Sequence, residues 1–234
     1  MTQELEAKIK EVILRTYNVK SFRLDMAGVL DFKAGQFLNV TLKNDPKLKR
    51  YLSISNSPTE TGYLEFTKKL TPSDFSGALD TLSPGDLVKV QYPFGKFTLD
   101  DPQAKIAFLS GGIGITPIRS ITKFVVDKNL GTDMVLVYSN RSLKDIVFRE
   151  DFDSMQKVYP KLKVAHVLGE AEPGFKCTVG YINAGIIKNE VPDYMARIFY
   201  LCGPPAMVDS MKNILTEELK VVKENIITEN FQGY

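Results

Sequence analysis

Two rhythms of apolar and polar residues divide the chain. Over roughly the first hundred residues apolar and polar side chains alternate, in AKIKEVILRTY, KSFRLDM, GQFLNVTL, RYLSIS, YLEFTKKL and DLVKVQY. A period of two puts neighbouring side chains on opposite faces, which is the geometry of a strand with one face buried. Gly35, Asn44-Asp45-Pro46, Pro84-Gly85-Asp86 and Pro93-Phe94-Gly95 punctuate these runs with turn chemistry. One short helix is predicted over residues 75–82, where Leu79 and Leu82 lie one turn apart. Six or so short strands with turns between them predict an antiparallel β-barrel or sandwich.

From about residue 103 the pattern changes. The runs IAFL, MVLVY, VAHVL and IFYLC are continuously apolar, as strands buried on both faces require. Helical spacing lies between them. TPIRSITKFVVDKN sets Ile118, Ile121, Phe124 and Val125 on one face, with Pro117 in the first turn and Gly131 as the stop. PAMVDSMKNILTEEL does the same with Met207, Val208, Met211, Ile214 and Leu215. Strand–helix alternation predicts an α/β, doubly wound parallel sheet. The expected domains are residues 1–101 and 102–234.

Composition narrows the function classes. Thirty basic residues against twenty-eight acidic ones give a formal charge of +2 over 234 residues, without the basic footprint of a nucleic-acid binder. No apolar run approaches the ~20 residues of a membrane span. The charged start, MTQELEAKIKEV, lacks the apolar region of a secretion signal. These features lead to an expectation of a cytoplasmic protein, with neither nucleic acid nor membrane as partner. Cys177 and Cys202, expected as free thiols, and the one histidine, His166, are too few for a metal cluster. No metal site is expected, and His166 is read as a structural residue of a strand.

The strand IAFLS runs into Gly111-Gly112-Ile113-Gly114-Ile115-Thr116-Pro117 and then a helix. Small residues let the backbone approach a pyrophosphate, and the helix start supplies free N–H groups and a favourable dipole; a tight turn is the plainer alternative. The second strand ends in Tyr138-Ser139-Asn140-Arg141, not in the acid that binds a ribose 2′-hydroxyl. Ser139 and Asn140 suit a ribose, and Arg141 suits adenine or a 2′-phosphate, or else is a solvated loop residue. The fourth strand ends in Leu201-Cys202-Gly203-Pro204-Pro205-Ala206-Met207, at the carboxyl edge where open α/β sheets bind ligands.

The β-rich first half, the stretch KRYLSISNSP, GGIGITP and CGPPAM together resemble the ferredoxin–NADP⁺ reductase superfamily over nearly the whole chain. The resemblance implies a flavin-binding antiparallel barrel, then an NAD(P)-binding domain, with hydride passing between nicotinamide and flavin at the cleft between them. Arg50 and Ser53 match the family's R-x-Y-[ST] motif: the arginine neutralises the flavin pyrophosphate and the serine hydrogen-bonds near N5. Leu52 stands at the family's tyrosine position, with Tyr51 one residue early and on the opposite face, so Leu52 is expected against the flavin ring. Phe66, Thr67 and Lys68 are expected to contact flavin. Ser73-Asp74-Phe75-Ser76 matches G-x-x-S with Ser73 for glycine, and Ser76 is expected at the diphosphate. FAD is favoured over FMN. Gly111, Gly112, Gly114, Thr116, Pro117, Ser139, Asn140, Arg141, Cys202, Gly203 and Pro204 are expected around NAD(P)H. Glu229 matches the acid that accompanies the CGPP cysteine, and Phe231 or Tyr234 is expected to cover the flavin.

Under this resemblance Ser53, Cys202 and Glu229 are the catalytic residues, orienting the rings and stabilising developing charge. The chain lacks the cysteines of a fused iron–sulfur domain, so the expected acceptor is separate: a ferredoxin, a flavodoxin, an oxygenase component or a small molecule. Lys47, Lys49, Lys68 and Lys69 either steer an acidic partner or are ordinary solvated lysines. The alternative function, favoured by Leu52 and Ser73, is a non-catalytic dinucleotide-binding electron-transfer or assembly subunit. NADH and NADPH are both open.

Overall fold

The longest strand organises the first half. A computed structural model describes residues 2–26 and 30–230. Its first six strands are β1 (Gln3–Thr16), β2 (Val19–Asp25), β3 (Phe37–Thr41), β4 (Lys49–Ser53), β5 (Tyr63–Lys69) and β6 (Leu87–Phe94), with helix α1 (Asp74–Asp80) between β5 and β6. The fourteen residues of β1 serve two partners: residues 3–8 pair with β6, and residues 9–16 pair with β2 across register shifts. The antiparallel order is β4-β3-β6-β1-β2-β5. The two end strands meet at the Ile54–Phe66 bridge, reinforced by Ser55 N–H donating to the Glu65 carbonyl at 2.8 Å, and this closes a barrel. Closure removes the edges that would otherwise invite aggregation.

The alternating residues fill the barrel as the pattern requires. Leu38, Val40, Leu52, Val88 and Val90 point inward, and Phe22 stacks on Phe66 at 5.2 Å between centroids. Each such side chain contributes about 2 kcal/mol of hydrophobic burial. Phe75 and Leu79 of α1 join the same core. That helix starts at Asp74 because the Ser73 hydroxyl caps it, accepting from Ser76 N–H at 3.3 Å.

Residues Met1–Leu99 cluster with Thr116–Phe124 as one compact unit, and Asp100–Ile115 with Val125 onward as another. In the second, β7 (Lys105–Gly111) leads into α2 (Ile115–Lys128), followed by β8 (Asp133–Asn140), α3 (Arg149–Val158) and β9 (Leu162–Leu168). Then come β10 (Thr178–Val179), α4 (Ala184–Glu190), β11 (Ile198–Gly203), α5 (Pro205–Asn213) and β12 (Ile226–Asn230). The sheet is parallel, in the order β10-β9-β8-β7-β11-β12. Ala107, Leu109, Val135, Val137, Phe199 and Leu201 bury one of its faces.

Several details depart from the sequence expectation. Helix α2 ends at Asn129, whose left-handed backbone (φ 50°) caps it, two residues before Gly131. A π turn at Ile214–Glu218 ends the regular part of α5 early. Helices α3 and α4 and strands β10 and β12 were not foreseen. Helix α3 buries only Phe152 and Met155, too few for a visible stripe, and β12 is five residues at the end of the pattern.

Within the first unit, Arg119 of α2 is 4% exposed and grips Glu60 through both nitrogens. It also donates to the Ser55 carbonyl at 3.1 Å, and the neighbouring Ser120 hydroxyl donates to the Asn56 carbonyl at 2.6 Å. The Arg119 charge, with the Ser57 N–H, holds the Glu60 carboxyl below its usual range against the opposing effect of burial. Removing one member of such a pair strands a buried charge. Arg119→Met is expected to lower stability by roughly 3 kcal/mol, and Glu60→Gln added to it to recover much of that loss; denaturant midpoints check both.

Candidate functional site

The barrel gathers one cationic, hydroxyl-rich surface. Arg50 on β4 lies over the Phe75 ring at 5.3 Å, so the strand and the start of α1 are neighbours. Its guanidinium donates to the carbonyls of Lys47 (3.3 Å) and Lys49 (2.7 Å) and pairs with no carboxylate among the described residues. Lys68 of β5 is buried, and burial pushes its ammonium below the usual lysine range, with Arg50 and Lys69 adding like-charge repulsion. Two cations held this close in a half-dry place favour an anion between them. Ser76 is buried beside them, its hydroxyl accepting from Thr71 N–H at 3.2 Å. This donor set fits a diphosphate.

Ser53 is 3% exposed, at the end of β4. A hydroxyl can donate to a ring nitrogen, which is the chemistry a flavin would need there. Phe66 and Thr67 of β5 are buried; Thr67 accepts or shares hydrogen bonds with Ser21 (2.6 Å) and Ser55 (2.8 Å), so its hydroxyl serves the barrel. Leu52 is buried in the barrel core, while Tyr51 is 61% exposed on the opposite face, packed edge-on to Phe37 and Phe94. Ser73 is exposed and occupied with capping α1. Phe231 and Tyr234 lie outside the described residues.

The second unit builds its site at the carboxyl end of its strands. Gly114 packs against β11 so closely that a Cβ there would lie 2.4 Å from the Cys202 carbonyl oxygen and 2.6 Å from the Gly203 Cα. Only glycine allows this approach. Gly112 has φ 53° and open space where a side chain would be, leaving its backbone free to meet a ligand. The Tyr138 hydroxyl pins the loop by donating to the Gly112 carbonyl at 2.9 Å. Gly111 and Gly203 are buried against each other and Met207, and Pro204 is exposed at the start of α5. Thr116 and Pro117 are buried in the first turn of α2. Ser139 is half-buried, Arg141 is exposed, and the buried Asn140 amide oxygen has no hydrogen-bond partner.

Parallel register then assembles a row that single strands do not reveal. Ser110 of β7, Cys202 of β11 and Glu229 of β12 lie side by side. Register residues of a parallel sheet share a face. Tyr138 of β8 and His166 of β9 extend the row. Ser110 is fully buried, and its hydroxyl is unpartnered. Cys202 is fully buried; burial pushes its thiol well up, and the Glu229 charge pushes it further. Burial likewise raises the Glu229 carboxyl to about 7. The pair is therefore a neutral thiol beside a carboxyl that titrates near neutrality, suited to orienting an amide-bearing ring and tuning local charge, not to nucleophilic attack. His166 packs between Tyr138 and Phe175, and burial lowers its basicity, as for a structural imidazole. Both cysteines are free, and no cluster of three or more metal-ligating side chains occurs among the described residues. No helix among the described residues is long and apolar enough to cross a membrane.

Ser110 and the Glu60–Arg119 pair were not singled out in the sequence. Apolar periodicity carries neither strand order nor loop-to-helix contacts, and these are what set Ser110 beside Cys202 and Arg119 against Glu60.

Comparison with known proteins agrees with this geometry. Residues 5–99 match the family described as Oxidoreductase FAD-binding domain, and residues 108–213 the family described as Oxidoreductase NAD-binding domain. The glycine betaine monooxygenase reductase subunit of Pseudomonas aeruginosa is 34% identical over 217 residues, 88% of this chain and 58% of that protein. The chain thus spans little more than half the length of that relative. NADH-cytochrome b5 reductase 1 of Aspergillus clavatus is 29% identical over 95% of this chain and 76% of its own length. Among solved structures, the cytochrome b5 reductase domain of Ulva prolifera nitrate reductase superposes with a TM-score of 0.87 at 23% identity, covering 97% of both chains.

Two outcomes follow from the Cys202–Glu229 row. At pH 8 a thiol alkylating reagent is expected to label the half-buried Cys177 and spare Cys202, which peptide mass mapping reads directly. Glu229 binds its proton more tightly folded than at the ordinary value of 4.5, so the native state holds more protons between 4.5 and about 7. Stability therefore falls as pH rises through that window. Glu229→Gln is expected to remove this slope, a difference on the order of 1 kcal/mol once partial exposure is discounted, measured by thermal melts from pH 4.5 to 7.5.

Proposed function

The chain belongs to the ferredoxin–NADP⁺ reductase superfamily of FAD- and NAD-binding oxidoreductases, and from that premise we propose that it takes hydride from NAD(P)H and passes electrons to a separate acceptor protein. Residues 1–101 hold FAD and residues 102–234 hold the nicotinamide nucleotide. The observation that carries this reading is the neutral Cys202 thiol held beside Glu229 at the strand end against which Gly114 packs. Such a row presents a donor and an ionisable acceptor to a nicotinamide carboxamide.

Bound FAD supplies the chemistry, accepting two electrons from the nucleotide and releasing them one at a time. The chain supplies position and field. Arg50, Lys68 and Ser76 neutralise the diphosphate, Ser53 donates toward the ring nitrogens, and Phe66 and Thr67 support it through β5. Gly111, Gly112 and Gly114 admit the nucleotide pyrophosphate, while Ser139, Asn140 and Arg141 take its adenosine end. Cys202 and Glu229 orient the nicotinamide, and Gly203 and Pro204 shape the turn beneath it. These residues would act by binding and orienting the groups they hold. The relative from Pseudomonas aeruginosa is named as the reductase subunit of a monooxygenase, which supports an oxygenase component as the acceptor class.

The purified protein is expected to be yellow and to bleach anaerobically on addition of NADH or NADPH; a colourless protein that takes up no FAD would refute the reading and support a non-catalytic subunit. Arg50→Ala is expected to weaken FAD retention at least tenfold by fluorescence titration, while Cys202→Ala keeps FAD and slows its reduction at least tenfold in stopped flow. Equal flavin loss in both variants would contradict this division of roles.

A further inference from the structure

The face of β5 turned away from the apolar core buries a carboxylate. Alternation sends Leu64 and Phe66 into the core and Glu65 and Thr67 to the other side. Glu65 is nonetheless 1% exposed. Its Oε2 is held by Arg15 of β1 at 3.1 Å and by Arg23 of β2 at 3.0 Å. Its Oε1 accepts from the Ser55 hydroxyl at 2.8 Å. One carboxylate thus ties β1, β2 and β5 to the chain that leaves β4.

The hydrogen bonds around it run in one direction. Ser55 gives its hydroxyl proton to Glu65, so Thr67 donates to Ser55 at 2.8 Å. Thr67 then has no proton left for Ser21, so Ser21 donates to Thr67 at 2.6 Å. Ser21 in turn accepts from Arg15 Nε–H at 2.8 Å, and Arg15 closes the ring by its bond to Glu65. Bonds linked in this way polarise and strengthen one another. Against apolar packing, a buried ion pair is a weak source of net stability. What this one supplies is a single fixed arrangement of the groups around it.

That arrangement bears on Ser53. It is the last residue of β4, in register with Phe37 of β3. Directly after it the chain changes partner. Ile54 N–H donates to the Gln36 carbonyl at 3.0 Å, Ile54 bridges Phe66, and Ser55 N–H donates to the Glu65 carbonyl at 2.8 Å. Glu65 N–H donates to the Asn56 amide oxygen at 2.8 Å. Other residues at position 65 would keep these backbone bonds; the bond from Ser55 to the carboxylate is what glutamate adds. We propose that Glu65 is a positioning residue for the flavin, fixing through Ser55 the placement of the Ser53 hydroxyl, the donor toward the ring nitrogens. This inference rests on the reading of residues 1–101 as the FAD-binding half.

The test uses the full chain loaded with FAD and reads the midpoint potential of the bound flavin by redox titration. Ser53→Ala is expected to shift that potential by the equivalent of about a fivefold change in the ratio of affinities for oxidised and reduced FAD. Ser55→Ala and Glu65→Gln are each expected to shift it in the same direction, and to add no further shift where Ser53 is already alanine. Ser55→Ala keeps both arginine–carboxylate pairs, so it carries the test if Glu65→Gln does not fold. A lower melting temperature with an unchanged potential would show a purely structural network and overturn the inference. So would shifts that add in full to that of Ser53→Ala, because Glu65 would then not act through Ser53. A wild-type chain that takes up no FAD would overturn the functional reading itself; a chain that binds FAD and gives either of the other two results would overturn this inference alone.

Discussion

The parallel register of β7, β11 and β12 is the constraint on which the chemistry of the second unit depends. It sets Ser110, Cys202 and Glu229 in one row, and Gly114 holds the glycine-rich loop against the strand that carries the cysteine. A slip of one residue would turn Cys202 to the other face and separate it from the glutamate. Burial then raises the pKa of both groups. The thiol stays neutral, and the carboxyl titrates near neutrality, so their roles come from where the sheet puts them and not from any activating base.

The two units handle charge in opposite ways. The barrel brings Arg50 and Lys68 near enough for like-charge repulsion to act on Lys68, a field that a bound anion would offset. The second unit carries in its row a neutral thiol and a carboxyl that titrates near neutrality. A flavin diphosphate and a nicotinamide ring call for this difference: one is a permanent anion, and the other changes charge as it reacts.

Much of this was legible in the sequence. Period-two alternation against continuous apolar runs separated the barrel from the parallel sheet, and Gly, Pro and Asn punctuation placed the turns. The motif residues Arg50, Ser53, Gly111–Gly114 and Cys202 occupy strand ends and loops, where local pattern is informative. What was not legible depends on strand order or on polar partners distant in sequence. Glu229 was picked out by family resemblance alone, because β12 is too short to announce itself. Arg119 reads as one more residue of an amphipathic helix until Glu60, fifty-nine positions away, is placed against it.

The most direct measurement is the carboxyl titration of Glu229 itself, followed by carbon-13 NMR with selective glutamate labelling and assignment by Glu229→Gln. A midpoint near 7, falling toward the ordinary carboxylate range when Cys202 and its surroundings are opened to water by unfolding, is the predicted result. A midpoint near 4.5 in the native protein would show a solvated acid with no enclosed partner and would contradict the account.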